Sequence, residues 1–130
     1  MSEPIGDHQD SLFIRIGGQQ AISALVEKLY VQILDDDLLS IFFHGTDVNS
    51  IKQSQLAFIT MALGGLNAYK GEPLRTIHQP LVDEKGLSDL HFDRLMVLFE
   101  SSLRELEVPH PLIQETLALV ETTREDVLCK

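Results

Sequence analysis

The sequence predicts an all-α fold, and three observations lead to that class. Apolar residues recur at i, i+3, i+4 and i+7 through most of the chain, the period of a helix with one buried face. No stretch alternates polar and apolar residues as a half-buried strand would. Glycine pairs, prolines and capping residues fall between the apolar stripes, where helices begin and end. With 130 residues, 44% of them hydrophobic, the chain can build one core and not two.

Residues 1–10 read as a polar tail and residues 11–130 as a single domain. Ser11 suits the N-cap of a short helix from Leu12 to Ile16, stopped by Gly17-Gly18. The next helix has the clearest stripe, formed by Ile22, Leu25, Val26, Leu29, Tyr30 and Ile33. It ends at Asp35-Asp36-Asp37, because three acids are unfavourable at the negative end of a helix dipole. Those acids read as a stop and a cap for the next turn rather than as catalytic carboxylates. A short turn of helix, Leu38 to Phe43, follows. Asp47, Asn49 and Ser50 offer caps for a helix that runs to Leu63 and ends at Gly64-Gly65. A connection through Tyr69, Lys70 and Gly71 leads to a helix with Pro73 in its first turn. Leu74, Ile77, His78 and Leu81 share one face of it, and Pro80 and Gly86 are expected to bracket a loop. Ser88 then caps a long helix to Leu106, with Phe92, Leu95, Phe99 and Leu103 inside. After Pro109 and Pro111, one last helix is expected to bury Leu112, Ile113, Leu117, Val120 and Val127.

Charge and composition narrow the partners. Twenty acidic residues against ten basic give a net charge of −10, which opposes phosphate backbones and anionic lipid. No apolar run reaches the roughly 18 residues of a membrane span. The first ten residues lack the basic-then-apolar pattern of a secretory signal, so a cytoplasmic location is expected. The single Cys129 cannot form an intrachain disulfide, which fits a reducing compartment, and is expected to be an exposed tail thiol without a role.

Three polar residues interrupt the apolar faces. His78 points where the leucines of its helix point, and an unsatisfied buried polar group costs about 1–3 kcal/mol. A histidine so placed is ordinarily bonded to a backbone carbonyl; a metal is the other partner that satisfies it, imidazole being the commonest metal ligand. Tyr30 stands in the buried stripe of its helix, and its hydroxyl needs a partner. Gln55 lies between Ile51 and Phe58 on an otherwise apolar face. Each alone fits a tyrosine at the rim of a core or a glutamine reaching solvent. Together, on three helices, they suggest one mainly apolar site with a few directed polar groups, as ligand pockets are built. Other chemistry lacks its motif. The histidines His8, His44, His78, His91 and His110 show no zinc spacing, and both glycine pairs follow helices instead of opening a phosphate loop. Neither a nucleophile elbow nor a basic stripe for nucleic acid appears.

Short signatures run in order along the chain: Ile16-Gly17-Gly18, Leu29-Tyr30-Val31, Phe42-Phe43, Gln55-Leu56-Ala57-Phe58 and Ala62-Leu63-Gly64-Gly65. Tyr69-Lys70-Gly71, Leu74-Arg75-Thr76-Ile77-His78 and Gly86-Leu87-Ser88-Asp89-Leu90-His91-Phe92 complete the series. Each is weak alone, but in this order and spacing the chain resembles the truncated haemoglobins, most closely their first group, from Leu12 to Leu128. The resemblance implies a truncated globin-like two-over-two helical sandwich enclosing haem b. It matches His78 to the proximal histidine that binds the iron and Tyr30 to the distal tyrosine whose hydroxyl faces the ligand. Gln55 matches a distal glutamine and Phe43 the phenylalanine packed on the porphyrin. Ile51 takes the position where many globins place a distal histidine. By the same matching Phe58, Leu74, Leu87, Phe92 and Leu95 line the haem. Tyr69 joins the cofactor-binding set, and Arg75, Lys70 and Lys52 are candidate partners for the propionates.

The departures from the family pattern also carry expectations. Ser54 stands where some members place a histidine on the distal side of the iron; serine is a poor iron ligand, so an open or water-bound sixth site is implied. Thr123 stands where certain members bond a histidine covalently to a haem vinyl group, so non-covalent haem is implied. Ile59 replaces a phenylalanine that some members place beside a ligand tunnel, so no gating role carries over. The resemblance thus implies reversible binding of dioxygen, nitric oxide and carbon monoxide, with oxygen transport or storage as the role. The alternative is an enzyme, a nitric oxide dioxygenase that makes nitrate and relies on a separate reductase. A haem-free helical interaction domain is the remote alternative, and it leaves three buried polar residues unexplained. Carrier or enzyme, and monomer or homodimer, stay open at this point.

Overall fold

The apolar stripes become helices packed face to face. The computed structural model describes residues 11–64 and 71–130. Seven α-helices are present among the described residues: α1 (Leu12–Ile16), α2 (Gly18–Leu34), α3 (Val48–Gly64), α4 (Gly71–Lys85), α5 (Asp89–Glu105), α6 (His110–Glu121) and α7 (Arg124–Leu128). A 3₁₀ turn, Ser40–Phe43, joins α2 to α3. No strand occurs among the described residues. The all-α class is therefore observed.

Helix α2 is the centre of the packing. Its stripe of Ile22, Leu25, Val26, Leu29, Tyr30 and Ile33 is buried throughout, and it packs against both α3 and α5. Burying an aliphatic side chain of this size contributes about 1.5–3 kcal/mol, so this helix anchors the core. Helix α6 lies against α5, α1 lies across α2, α3 and α6, and the principal partner of α4 is the short C-terminal α7.

Caps occur where the sequence places them. The Ser11 hydroxyl accepts from the Ile14 N–H at 3.4 Å and opens α1. Gly17 closes it at φ 136°, where a Cβ would stand 2.9 Å from the Ala21 Cβ, so a side chain is excluded there. Asp36 is the cap expected of the acidic triplet: its Oδ2 accepts from the N–H groups of Leu38 (3.2 Å) and Leu39 (3.1 Å). Its Oδ1 accepts from Arg94 Nε of α5 at 2.7 Å. One buried carboxylate thus ties the turn carrying Phe42 and Phe43 to the helix opposite. Asp47 caps α3 through the Asn49 N–H at 3.1 Å.

Three expectations are corrected. Pro80 does not begin a loop; α4 continues through it to Lys85. Proline lacks the N–H for the helical ladder, at a cost of about 3 kcal/mol in a helix interior. Its ring is exposed, while Leu81 beyond it is half-buried and its carbonyl accepts from the Leu87 N–H at 3.1 Å. The tertiary contacts of this last turn prevail over the local break. Secondly, the last helix is two. The Thr122 and Thr123 N–H groups bond the carbonyls of Leu119 (3.1 Å) and Val120 (2.9 Å), and their hydroxyls bond the same carbonyls at 2.5 and 2.7 Å. Threonine hydroxyls that compete for backbone carbonyls favour a break over a continued helix. Thirdly, Cys129 is half-buried, and its thiol donates to the Arg75 carbonyl at 3.3 Å.

The Asp36 contacts predict a measurable cost. Replacing Asp36 by alanine removes a buried acceptor of three hydrogen bonds and should lower the unfolding free energy by about 2–4 kcal/mol in urea titrations. The Arg94 guanidinium holds the Asp36 carboxyl below its ordinary range. A depressed folded value means the stabilisation is present above the unfolded value of about 3.9 and is lost as pH falls through the folded one. The difference between wild type and Asp36→Ala should therefore shrink on acidification below about pH 4.

Candidate functional site

The helices leave between them a mainly apolar cavity, with about 930 Å³ of empty space when its solvent-open mouth is counted. Leu29, Tyr30 and Ile33 of α2 line it, with Leu39, Phe42 and Phe43 of the following turn. Gln55, Phe58 and Ile59 come from α3, and His78 and Leu81 from α4. Leu87 and the inner face of α5, namely His91, Phe92, Leu95 and Phe99, form the next side. Val120, Thr123, Val127 and Leu128 complete the wall from the C-terminal end.

The structure thus brings Tyr30, Phe43, Gln55, Phe58, His78, Leu87, Phe92 and Leu95 to one cavity. Ile51, Lys52 and Arg75 are not on its wall among the described residues. Ile51 packs on the main core instead. Lys52 is paired with Glu27 at 2.8 Å, and Arg75 with Asp126 at 2.8 Å. Tyr69 and Lys70 lie outside the described residues, as do the side chains of Leu74 and Ser54.

The polar members of the wall are few and differ in their environments. Tyr30 is 2% exposed, and its ring meets Phe43 edge to face with centroids 5.6 Å apart. Burial alone pushes its phenol well above the ordinary tyrosine value, and its hydroxyl has no hydrogen-bond partner among the described residues. It is a neutral donor, held in a site of low dielectric. His78 and Gln55 are half-buried on α4 and α3. His91 was not singled out by sequence reasoning. Its Nδ1 accepts from the Ser88 N–H at 3.0 Å, which closes the capping box of α5 and leaves the proton of the neutral ring on Nε2. Its ring meets Phe42 at 4.9 Å, edge to face. The Ser88–His91 spacing was the available signal. The C-terminal wall of Val120, Thr123, Val127 and Leu128 had none beyond apolarity.

This donor set suits one kind of metal group. Among the described residues no three His, Cys, Asp or Glu side chains gather to hold a metal ion. Of the two imidazoles on the wall, His91 is engaged with Ser88 through Nδ1, and the His78 imidazole by itself cannot complete a coordination shell. It can complete one for a metal that arrives with its other ligands in a large flat apolar ring, and the aromatic and aliphatic wall is chemically matched to such a ring. The Tyr30 hydroxyl, on the same wall, is the second feature that a bound polar ligand would engage. Among the described residues no helix is long and apolar enough to cross a membrane.

Comparison with known proteins agrees. The family model described as bacterial-like globin matches residues 11–129. A group 1 truncated haemoglobin of Chlamydomonas moewusii is 37% identical over 118 residues, covering 91% of this chain and 68% of that protein. One from Tetrahymena pyriformis is 34% identical, covering 92% of this chain and 96% of that protein. Among solved structures, the 2/2 haemoglobin of Synechococcus sp. PCC 7002, in the cyanomet state with covalently attached haem, has a TM-score of 0.86. It is 38% identical and the match covers 92% of this chain and 99% of that one. The Tetrahymena pyriformis protein in its Fe(III) form has a TM-score of 0.80 at 34% identity, covering 91% of this chain and 97% of that one.

The Tyr30 environment yields a direct test. The chain has two tyrosines, Tyr30 and Tyr69. In an alkaline titration followed near 295 nm, Tyr30→Phe should leave the native amplitude below about pH 11 unchanged, because Tyr30 does not ionise in the folded state. Loss of one tyrosine's amplitude in the variant would show an ordinary, solvated phenol.

Proposed function

Because this chain belongs to the bacterial-like globins, as a group 1 truncated haemoglobin with the two-over-two fold and a haem cofactor, we propose that His78 is its proximal iron ligand and Tyr30 its principal distal donor. The chain is a haem globin that binds small gases, oxygen among them. The observation that carries the finer reading is the convergence of His78, Tyr30 and Gln55 on one apolar cavity. When bound, haem would supply an iron centre for reversible binding of diatomic gases, and His78 would be the side chain that holds it.

The residues of this chain divide the remaining work. Phe43, Phe58, Leu87, Phe92 and Leu95 would exclude water and give the ring an apolar wall to pack against. His78 reaches the cavity from α4 and would hold the iron through its imidazole. Tyr30 offers its hydroxyl to a gas that carries partial negative charge, and burial keeps the phenol protonated so that it remains a donor. Gln55, from α3, adds an amide on the same cavity. In this site each such hydrogen bond contributes about 1–3 kcal/mol. Haem would be held without a covalent link at Thr123, which brings a hydroxyl bonded to the Val120 carbonyl and no imidazole. Lys52 and Arg75 serve the propionates only by exchanging the carboxylates they already hold. Nitric oxide dioxygenation draws on the same His78, Tyr30 and Gln55 together with a separate reductase.

Stopped-flow oxygen release tests the reading. Tyr30→Phe should release oxygen faster by roughly ten- to a hundredfold, and Gln55→Leu by a smaller factor, with the Soret band retained in both. An unchanged rate in Tyr30→Phe would contradict the distal assignment. Stoichiometric nitrate from nitric oxide with an added reductase would place the chain among the enzymes rather than the carriers.

A further inference from the structure

The C-terminal wall of the cavity is made by a helix too short to hold itself. Helix α7 has five residues, a length with no stability of its own in water, yet Thr123, Val127 and Leu128 line the cavity. Charged contacts on its outer side fix it in place. Arg124, its first residue, gives Nη1 to Asp89 at 2.9 Å, Nη2 to Asp93 at 2.5 Å and Nε to Glu121 at 2.5 Å. The same guanidinium lies 4.5 Å from the centroid of Phe92, whose ring is itself part of the wall. Lys130 closes on Asp89 from the end of the chain. From α4, Arg75 bonds Asp126 at 2.8 Å and the Lys130 carbonyl at 2.7 Å.

We propose that Arg124 is a positioning residue for haem: by joining α5, α6 and α7 behind Phe92, it holds the C-terminal wall against the cofactor and sets how slowly haem leaves. This rests on the haem-globin reading above. The fork engages all three guanidinium nitrogens, a geometry that a lysine ammonium cannot reproduce. Its carboxylate partners are about half exposed or more, so salt weakens the lock. Haem retention in this chain is therefore sensitive to ionic strength.

The test is haem transfer from the holoprotein to excess apomyoglobin, followed in the Soret region, with thermal unfolding measured alongside by circular dichroism. Arg124→Gln should lose haem faster by roughly tenfold or more, and Arg124→Lys by an intermediate factor. The control is Arg15→Gln, which breaks a two-pronged pair with Glu115 (3.0 and 2.5 Å) away from the cavity wall, and should lose haem at the wild-type rate. Raising sodium chloride from about 0.05 to about 1 M should speed loss more in the wild type than in Arg124→Gln, which of these contacts keeps only the Lys130–Asp89 and Arg75–Asp126 pairs. Should Arg124→Gln fail to fold, Arg124→Lys and the salt series carry the test. Equal rates for wild type and the Arg124 variants would overturn the proposal, as would equal acceleration by Arg15→Gln. A wild type that takes up no haem would overturn the haem reading as well.

Discussion

A cavity stands where the centre of a 130-residue core would otherwise be, and the rest of the structure is organised by that constraint. Its wall takes side chains from every helix except α1, so no single element defines it. In such a site there are few polar groups, and each counts for more because water is excluded and the local dielectric is low. Tyr30 shows the consequence most plainly. The same burial that removes its hydroxyl from water keeps it neutral, and a neutral phenol is the form able to donate.

The devices that hold the wall are polar and lie behind it. Asp36 draws the Phe42-Phe43 turn onto α5 through Arg94 and two backbone N–H groups. His91 accepts from the Ser88 N–H, which starts α5 at the point where Phe92 and Leu95 turn inward. Arg124 gathers three acids behind Phe92. A chain with a net charge of −10 thus uses several of its ten cations to join helices, Lys52 and Arg75 among them. The acidic surplus is a property of the outer surface, consistent with a ligand that is small and uncharged.

Much of this was legible in the sequence, and the remainder was hidden for identifiable physical reasons. The stripe from Ile22 to Ile33, the Ser11 and Asp36 caps and the stop at Gly17 follow from local chemistry, and local chemistry decided them. Tyr30, Gln55 and His78 were visible as polar residues on apolar faces; that they share one cavity is a long-range fact, which order and spacing could supply only through resemblance. Pro80 misled because a local break was weighed without the contacts of Leu81 and Leu87 that carry the helix past it. The division at Thr122 and Thr123 turns on hydroxyls choosing backbone carbonyls, a competition that periodicity does not record. Cys129 and Arg124 owe their surroundings to the return of α7 onto α4 and α5, and nothing local to either residue announces that return.

The central claim is that the His78 imidazole is the protein's own hold on the haem iron. It is tested most directly by the visible spectra of the ferric and ferrous protein beside His78→Gly, with and without free imidazole. The account predicts a strong Soret band in the wild type, a band lost or displaced in the variant, and recovery of the wild-type spectrum when imidazole refills the space left by the side chain. A His78→Gly protein whose spectra match the wild type, unmoved by imidazole, would contradict it and assign the iron to another residue of the cavity wall.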